Sequence, residues 1–173
     1  MAFAVWVTGL PASGKSTVAQ ALKKAIEAKG VECEVLESDM LRKVLTPNPR
    51  YDEADREMLY SQMVYIGTLL IRRGTAVIFD ATANRRAYRD RARKEIGRFV
   101  EVFVDTPLEV CVSRDPKGIY RAAREGGSGS VPGLQAVYEP PPNPDVVIHG
   151  ESEGGDEAAL RIVAALGARG FLP

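Results

Sequence analysis

Cysteine, histidine, net charge and long apolar runs are all scarce in this chain, and each scarcity removes a class of explanation. The 173 residues hold two cysteines, Cys33 and Cys111, each inside an apolar run. That reads as two buried free thiols in a reducing compartment, because a disulfide or a metal site needs more cysteines or closer spacing. The single histidine, His149, lies outside every motif and reads as structural or surface. Lys and Arg number 23 and Asp and Glu also 23, so no global field draws the chain to nucleic acid or membrane. No apolar stretch reaches the roughly 18 residues that span a bilayer. No basic region precedes the first apolar run, so no signal peptide is expected, and the expectation is a cytoplasmic protein. Internal repeats and composition breaks are missing as well, which suits a single domain over residues 1–173.

What is present alternates between two patterns. Short apolar runs at residues 3–7, 33–37, 76–79, 100–104 and 145–148 read as strands. Helical spacing separates them, over residues 15–29, 53–73, 85–96, 108–113, 117–125 and 156–168. In the long helix, Met58, Met63, Ile66, Leu69 and Leu70 are expected on or near one face, and Gly74 ends it. Ser38 and Asp39 are placed to cap a short helix through Leu45. Continuous rather than alternating apolar strands signal a parallel sheet covered on both faces, so the expected class is α/β. Residues 126–144, rich in Gly and Pro, read as a long irregular loop with the character of a substrate lid or binding loop.

The sharpest motif follows the first strand. Gly9, Pro11, Ala12, Ser13, Gly14, Lys15, Ser16 and Thr17 lie in a run that fits G-x-x-x-x-G-K-[ST] in full, between a predicted strand and a predicted helix. Gly9 and Gly14 let the backbone bend and approach a ligand. The loop N–H groups and the positive end of the helix then converge on a phosphate. Lys15 is expected on the β- and γ-phosphates and Ser16 on Mg²⁺. This is a site for a nucleoside triphosphate, expected to be ATP with Mg²⁺. Asp80 ends a strand as a Walker B aspartate does and is the second candidate magnesium ligand. Asp39, after the second strand, is a candidate catalytic or metal-facing carboxylate, with helix capping as the plain alternative.

A guanine-reading N-K-x-D is absent, and a motor needs more chain. A small P-loop protein with a late cationic segment, Arg114, Lys117, Arg121 and Arg124, suits a small-molecule kinase in which these residues fold over the phosphates, Arg114 on the ATP. The alternative for that segment is a solvated basic helix.

Several stretches resemble the adenylylsulfate (APS) kinase family of P-loop kinases. They are EVFVDTPLEVC at 101–111, RDPKGIY at 114–120, YE at 138–139, DRE at 55–57, and ESDMLR at 37–42, which is similar to the family's D-G-D-N-x-R. The resemblance implies a three-layer fold, with a mainly parallel five-stranded sheet between helices and a mobile lid. It implies transfer of the γ-phosphate of ATP to the 3′-hydroxyl of adenosine 5′-phosphosulfate, giving PAPS, and a homodimer. It places Asp39 at the accepting hydroxyl, as base or hydrogen-bond anchor, and Arg42 and Arg56 on the phosphosulfate. It has Lys117 closing on the nucleotides and Tyr51 stacking on the acceptor's adenine, with Val131 aligned to a second stacking aromatic. The chain departs from the family at Leu59, where an asparagine is usual, and at Ala83, where a serine is usual and Thr82 stands one position earlier.

Residues 77–86, VIFDATANRR, look instead like P-loop kinases that phosphorylate polynucleotide ends or seryl-tRNA. The helix beyond holds Arg85, Arg86, Arg89, Arg91, Arg93, Lys94 and Arg98, either an RNA-facing patch or a helix face pairing with acids elsewhere. Three readings therefore stand: an APS kinase, a kinase of the same architecture for another hydroxyl, and a non-enzymatic nucleotide-binding module.

Overall fold

The computed structural model describes residues 1–127 and 130–173. Five strands, β1 (Ala4–Thr8), β2 (Cys33–Glu37), β3 (Ala76–Asp80), β4 (Phe99–Asp105) and β5 (Val146–His149), form one parallel sheet in the order β2-β3-β1-β4-β5. The helices are α1 (Lys15–Glu27), α2 (Ser38–Leu45), α3 (Glu53–Arg72), α4 (Arg86–Ile96), α5 (Leu108–Arg114), α6 (Ile119–Arg124) and α7 (Gly155–Ala168). Strand side chains alternate between faces. Val5 and Val7 of β1 join Val18, Leu22 and Ile26 of α1 and Ile162 of α7 on one side. Ala4 and Trp6 join Leu59, Tyr60 and Met63 of α3 on the other. Both faces are covered, which is why the strands read as unbroken apolar runs. β1 lies where the strand order reverses, and open α/β sheets bind ligands at the carboxyl ends beside such a point.

Three local expectations are corrected. The buried stripe of α3 is Leu59, Tyr60, Met63, Val64 and Gly67, with Met58 and Leu69 exposed. Residue Glu37 precedes α2 as its N-cap with no side-chain cap bond, so Ser38 and Asp39 lie inside the first turn and do not cap it. The helix expected from residue 117 begins at Ile119, leaving Lys117 in the turn before it. At the C-terminus, Phe171 stacks on Phe3 and Leu172 is buried, so the apolar tail belongs to the core. Cys33 and Cys111 are buried and free, and burial pushes the Cys33 thiol up to about 12. The expected loop 126–144 partly lies outside the described residues. Its described portion is fastened: the Asn84 side chain donates to Val137 O, Glu139 N–H to Asn84 O, and Arg86 Nε to Pro140 O. No helix among the described residues is long and apolar enough to cross a membrane.

Candidate active site

The turn after β1 is built to admit an anion. A Cβ on Gly9 would sit 2.6 Å from Val104 O, so only glycine fits the close packing under the loop. Gly14 has φ 105° and Ala12 φ 62°, left-handed values of the kind by which successive residues form an anion-binding nest. Lys15 Nζ donates to Leu10 O at 2.8 Å, and Ser16 Oγ donates to Asp80 Oδ2 at 2.7 Å. Arg114 reaches over from α5, donating to Gly150 O at 2.8 Å and to Ser13 O at 3.5 Å. Together they wall a cavity of about 390 Å³ whose lining includes Pro11, Ala12, Gly14, Lys15, Ser16, Thr17, Asp80 and Arg114. Gly9 and Ser13, expected on the ATP, do not line it; they shape the turn from beneath, and the Ser13 hydroxyl is buried with no partner among the described residues.

Charge in this cavity is held away from its ordinary balance. Burial lowers the pKa of Lys15, against the opposing pull of Asp80 and Asp39. Burial raises that of Asp80, opposed by Lys15 and by the Ser16 hydrogen bond. Glu37 is raised by burial and then by the nearby Asp80. A dehydrated lysine beside a dehydrated carboxylate is poised for a phosphate on one side and a cation on the other. No group of three or more metal-ligating side chains exists among the described residues. The Ser16 hydroxyl and Asp80 carboxylate are hard oxygen donors beside the phosphate cradle. One or two protein oxygens are what Mg²⁺ uses when waters and phosphates complete its shell, so the pair fits that ion.

A second cavity, of about 540 Å³, adjoins the first. The two share Pro11, Ser38, Asp39, Thr82, Lys117 and Ile119. Asp39 therefore faces both, and its carboxylate is ion-paired with the Lys117 ammonium across the junction. That hydrogen bond to Asp39 raises the pKa of Lys117. Deeper in the second cavity, the Arg42 guanidinium lies 4.9 Å over the Tyr51 ring. Arg42 Nη1 is buried without a partner among the described residues, a donor left for a ligand. Val131 lines the same cavity.

Not every expected residue arrives there. Arg56 does not line the cavity: it is buried, and its guanidinium binds Ser130. Leu59 and Ala83 are also buried in the core outside it, so only Val131, which stands where the family has an aromatic, touches the cavity. Four of the seven basic residues between 85 and 98 pair with acids. Arg85 pairs with Glu53 and Glu139, Arg91 with Glu57, Arg93 with Glu101 and Asp145, and Arg89 is buried against Glu101. Sequence reasoning missed Ser38 and Ile119 as shared wall. Both lie inside stretches that resemble the family, Ser38 beside Asp39 in ESDMLR and Ile119 two residues after Lys117 in RDPKGIY, so both were within reach.

A family model for adenylylsulphate kinase matches residues 1–149. The chain belongs to the adenylylsulphate kinase family. It is 39% identical over 171 residues to a probable adenylyl-sulfate kinase of Pyrococcus abyssi, covering 99% of this chain and 98% of that one. It is 38% identical over 168 residues to an adenylyl-sulfate kinase of Microcystis aeruginosa, covering 97% and 93%. In three dimensions it resembles the Mycobacterium tuberculosis APS kinase solved in complex with AMPPNP and APS. The TM-score is 0.90 at 35% identity, over 96% of this chain and 98% of that one. A sugar kinase from Janibacter shares the fold alone, with a TM-score of 0.71 at 18% identity. Family membership makes this chain an ATP-dependent phosphotransferase with an alcohol acceptor.

Proposed function

We propose that this protein transfers the γ-phosphate of ATP to the 3′-hydroxyl of adenosine 5′-phosphosulfate. The observation that carries the reading is the shared wall: a phosphate cavity and an acceptor cavity meet at Asp39 and Lys117. ATP lies along the loop at 9–17, with Lys15 turning from Leu10 O to the β- and γ-phosphates and Arg114 over the nucleotide. Ser16 and Asp80 would hold Mg²⁺, which would supply charge neutralisation at the phosphates. The acceptor fills the second cavity, its anionic group on Arg42 and its purine between Tyr51 and Val131. Its hydroxyl reaches Asp39, which accepts the hydrogen bond and aligns the oxygen for in-line attack; as the new O–P bond forms, the bond from the γ-phosphorus to the bridging oxygen breaks, ADP leaves and the hydroxyl proton passes to Asp39. The transfer is largely dissociative, so alignment matters more than base strength. Lys117, released from Asp39, turns to the moving phosphoryl group as the segment around α6 closes and excludes water. The whole chain acts as one domain in this scheme, and its two free buried thiols suit the reducing cytoplasm.

ATP labelled on its γ-phosphate should give a product with the label on the 3′-oxygen of the acceptor. Label passing to water alone, or to a polynucleotide end, would overturn the assignment. A homodimer accompanies this reading. The outer face of α3 exposes Met58, Tyr65 and Leu69 between acidic Glu53 and Asp55 at one end and basic Arg72 and Arg73 at the other. Two such helices packed antiparallel would bring Met58 to Leu69 and acid to base, a self-complementary arrangement. Light scattering should report twice 18.8 kDa for the native chain and the monomer mass for Tyr65→Asp; a native monomer would refute it.

A further inference from the structure

Tyr51 stands at φ 58°, in the left-handed region, which a residue bearing a Cβ adopts only when its surroundings hold it there. Two hydrogen bonds do so. The Tyr51 N–H donates to Asp55 Oδ2 at 3.1 Å, and the Tyr51 carbonyl accepts from the Ser130 hydroxyl at 3.0 Å. Ser130 is fixed in turn by Arg56, which donates to the Ser130 carbonyl at 2.6 Å and to its hydroxyl at 3.1 Å. Arg56 is only 5% exposed and grows from the packed face of α3, so it is a rigid anchor. The residue after Ser130 is Val131. Its N–H donates to Gln135 Oε1 at 2.9 Å, and its carbonyl accepts from Leu134, Gln135 and Ala136. A strut thus runs from the core arginine through Ser130 to the backbone of Tyr51. It ties together the two sides of the acceptor cavity, 79 residues apart in sequence.

We propose that Ser130 is a positioning residue that sets the spacing between Tyr51 and Val131, and so determines how well the cavity grips the acceptor's purine. This rests on the acceptor assignment proposed above. The hydroxyl is the one element of the strut whose removal leaves the rest in place, because the bond from Arg56 to the Ser130 carbonyl survives in Ser130→Ala.

The test is steady-state kinetics on the native protein, Ser130→Ala, Ser130→Thr, Tyr51→Leu and the double variant Ser130→Ala/Tyr51→Leu. Ser130→Ala should raise KM for adenosine 5′-phosphosulfate about fivefold to tenfold, the scale of one lost hydrogen bond. It should leave kcat and KM for ATP within about twofold, and Ser130→Thr should recover most of the loss. Because Ser130 acts through Tyr51, the alanine change should add less than about twofold in the Tyr51→Leu background. An unchanged acceptor KM in Ser130→Ala, a parallel rise in KM for ATP, or fully additive losses in the double variant would each overturn the proposal. Those outcomes leave the native protein's turnover intact and so spare the acceptor assignment. A native protein that does not use adenosine 5′-phosphosulfate at all would overturn both.

Discussion

At the scale of single residues, the junction between the cavities depends on a contact that is easy to break. Asp39 and Lys117 are both about half exposed, 52% and 56%, and ion pairs at such exposure are worth about 0–1 kcal/mol. Lys117 can therefore leave Asp39 for a phosphate at little cost, while a buried pair would resist. Asp39→Asn keeps the side chain's size and removes its charge. It should lower kcat at least about tenfold, the low end for a positioned acid–base group, with KM for ATP little changed. An unchanged kcat would reduce Asp39 to a wall residue. Asp80 makes a prediction in pH. Burial raises its folded pKa above the ordinary carboxylate value of about 3.9, so ionising it costs more in the fold than in the unfolded chain. The stability this contributes is present at low pH and is lost as pH rises through the folded pKa. Magnesium binding has the opposite sign, since it needs the ionised form. Asp80→Asn should therefore leave the ligand-free Tm equal or higher while cutting MgATP-dependent activity at least about tenfold. A lower Tm with activity retained would contradict both halves.

Among the elements, α3 carries the tightest approach. A Cβ on Gly67 would lie 2.4 Å from Phe79 Cζ, and Phe79 is itself stacked on Trp6 at 4.7 Å. Helix propensity alone favours alanine over glycine by about 1 kcal/mol. Overpacking a filled core costs about 1–3 kcal/mol, so the clash should win, and Gly67→Ala should lower Tm by a few degrees in thermal melts. A raised Tm would mean that Phe79 yields freely. The same helix marks where sequence reading fails. Apolar residues occur nearly all round α3, so periodicity could not choose between the stripe of Leu59 and Met63, which is buried, and the side with Met58 and Leu69, which is not. The strands were legible because burial on both faces leaves unbroken apolar runs, as in Ala76–Asp80. The start of α2 was misread because Ser38 and Asp39 are capping types, yet the strand-to-helix junction falls one residue earlier, at Glu37.

Over the whole molecule, the loop at 9–17 was legible because its chemistry is local: glycines, a lysine and a hydroxyl at fixed spacing between a strand and a helix. Asp39, Arg42, Tyr51, Lys117 and Val131 come from four separate segments, and their meeting around one cavity is a property of the sheet order. The resemblance of short motifs carried those residues into the site; composition and periodicity did not. The same tertiary view removed Arg56 from the cavity and tied Ser130 into its wall, neither of which has a sequence signal. The cationic helix α4, an RNA-facing candidate in sequence, is largely neutralised by Glu53, Glu57, Glu101, Glu139 and Asp145. In the proposed reaction the two joined cavities serve ATP and adenosine 5′-phosphosulfate. The most direct test of this is the rate of ADP formation at saturating MgATP as adenosine 5′-phosphosulfate is titrated. Little ADP should form without the acceptor, and a saturable rise should follow its addition, matched by equal PAPS. ADP formation that ignores the acceptor, or no turnover at any acceptor concentration while ATP still binds, would contradict it.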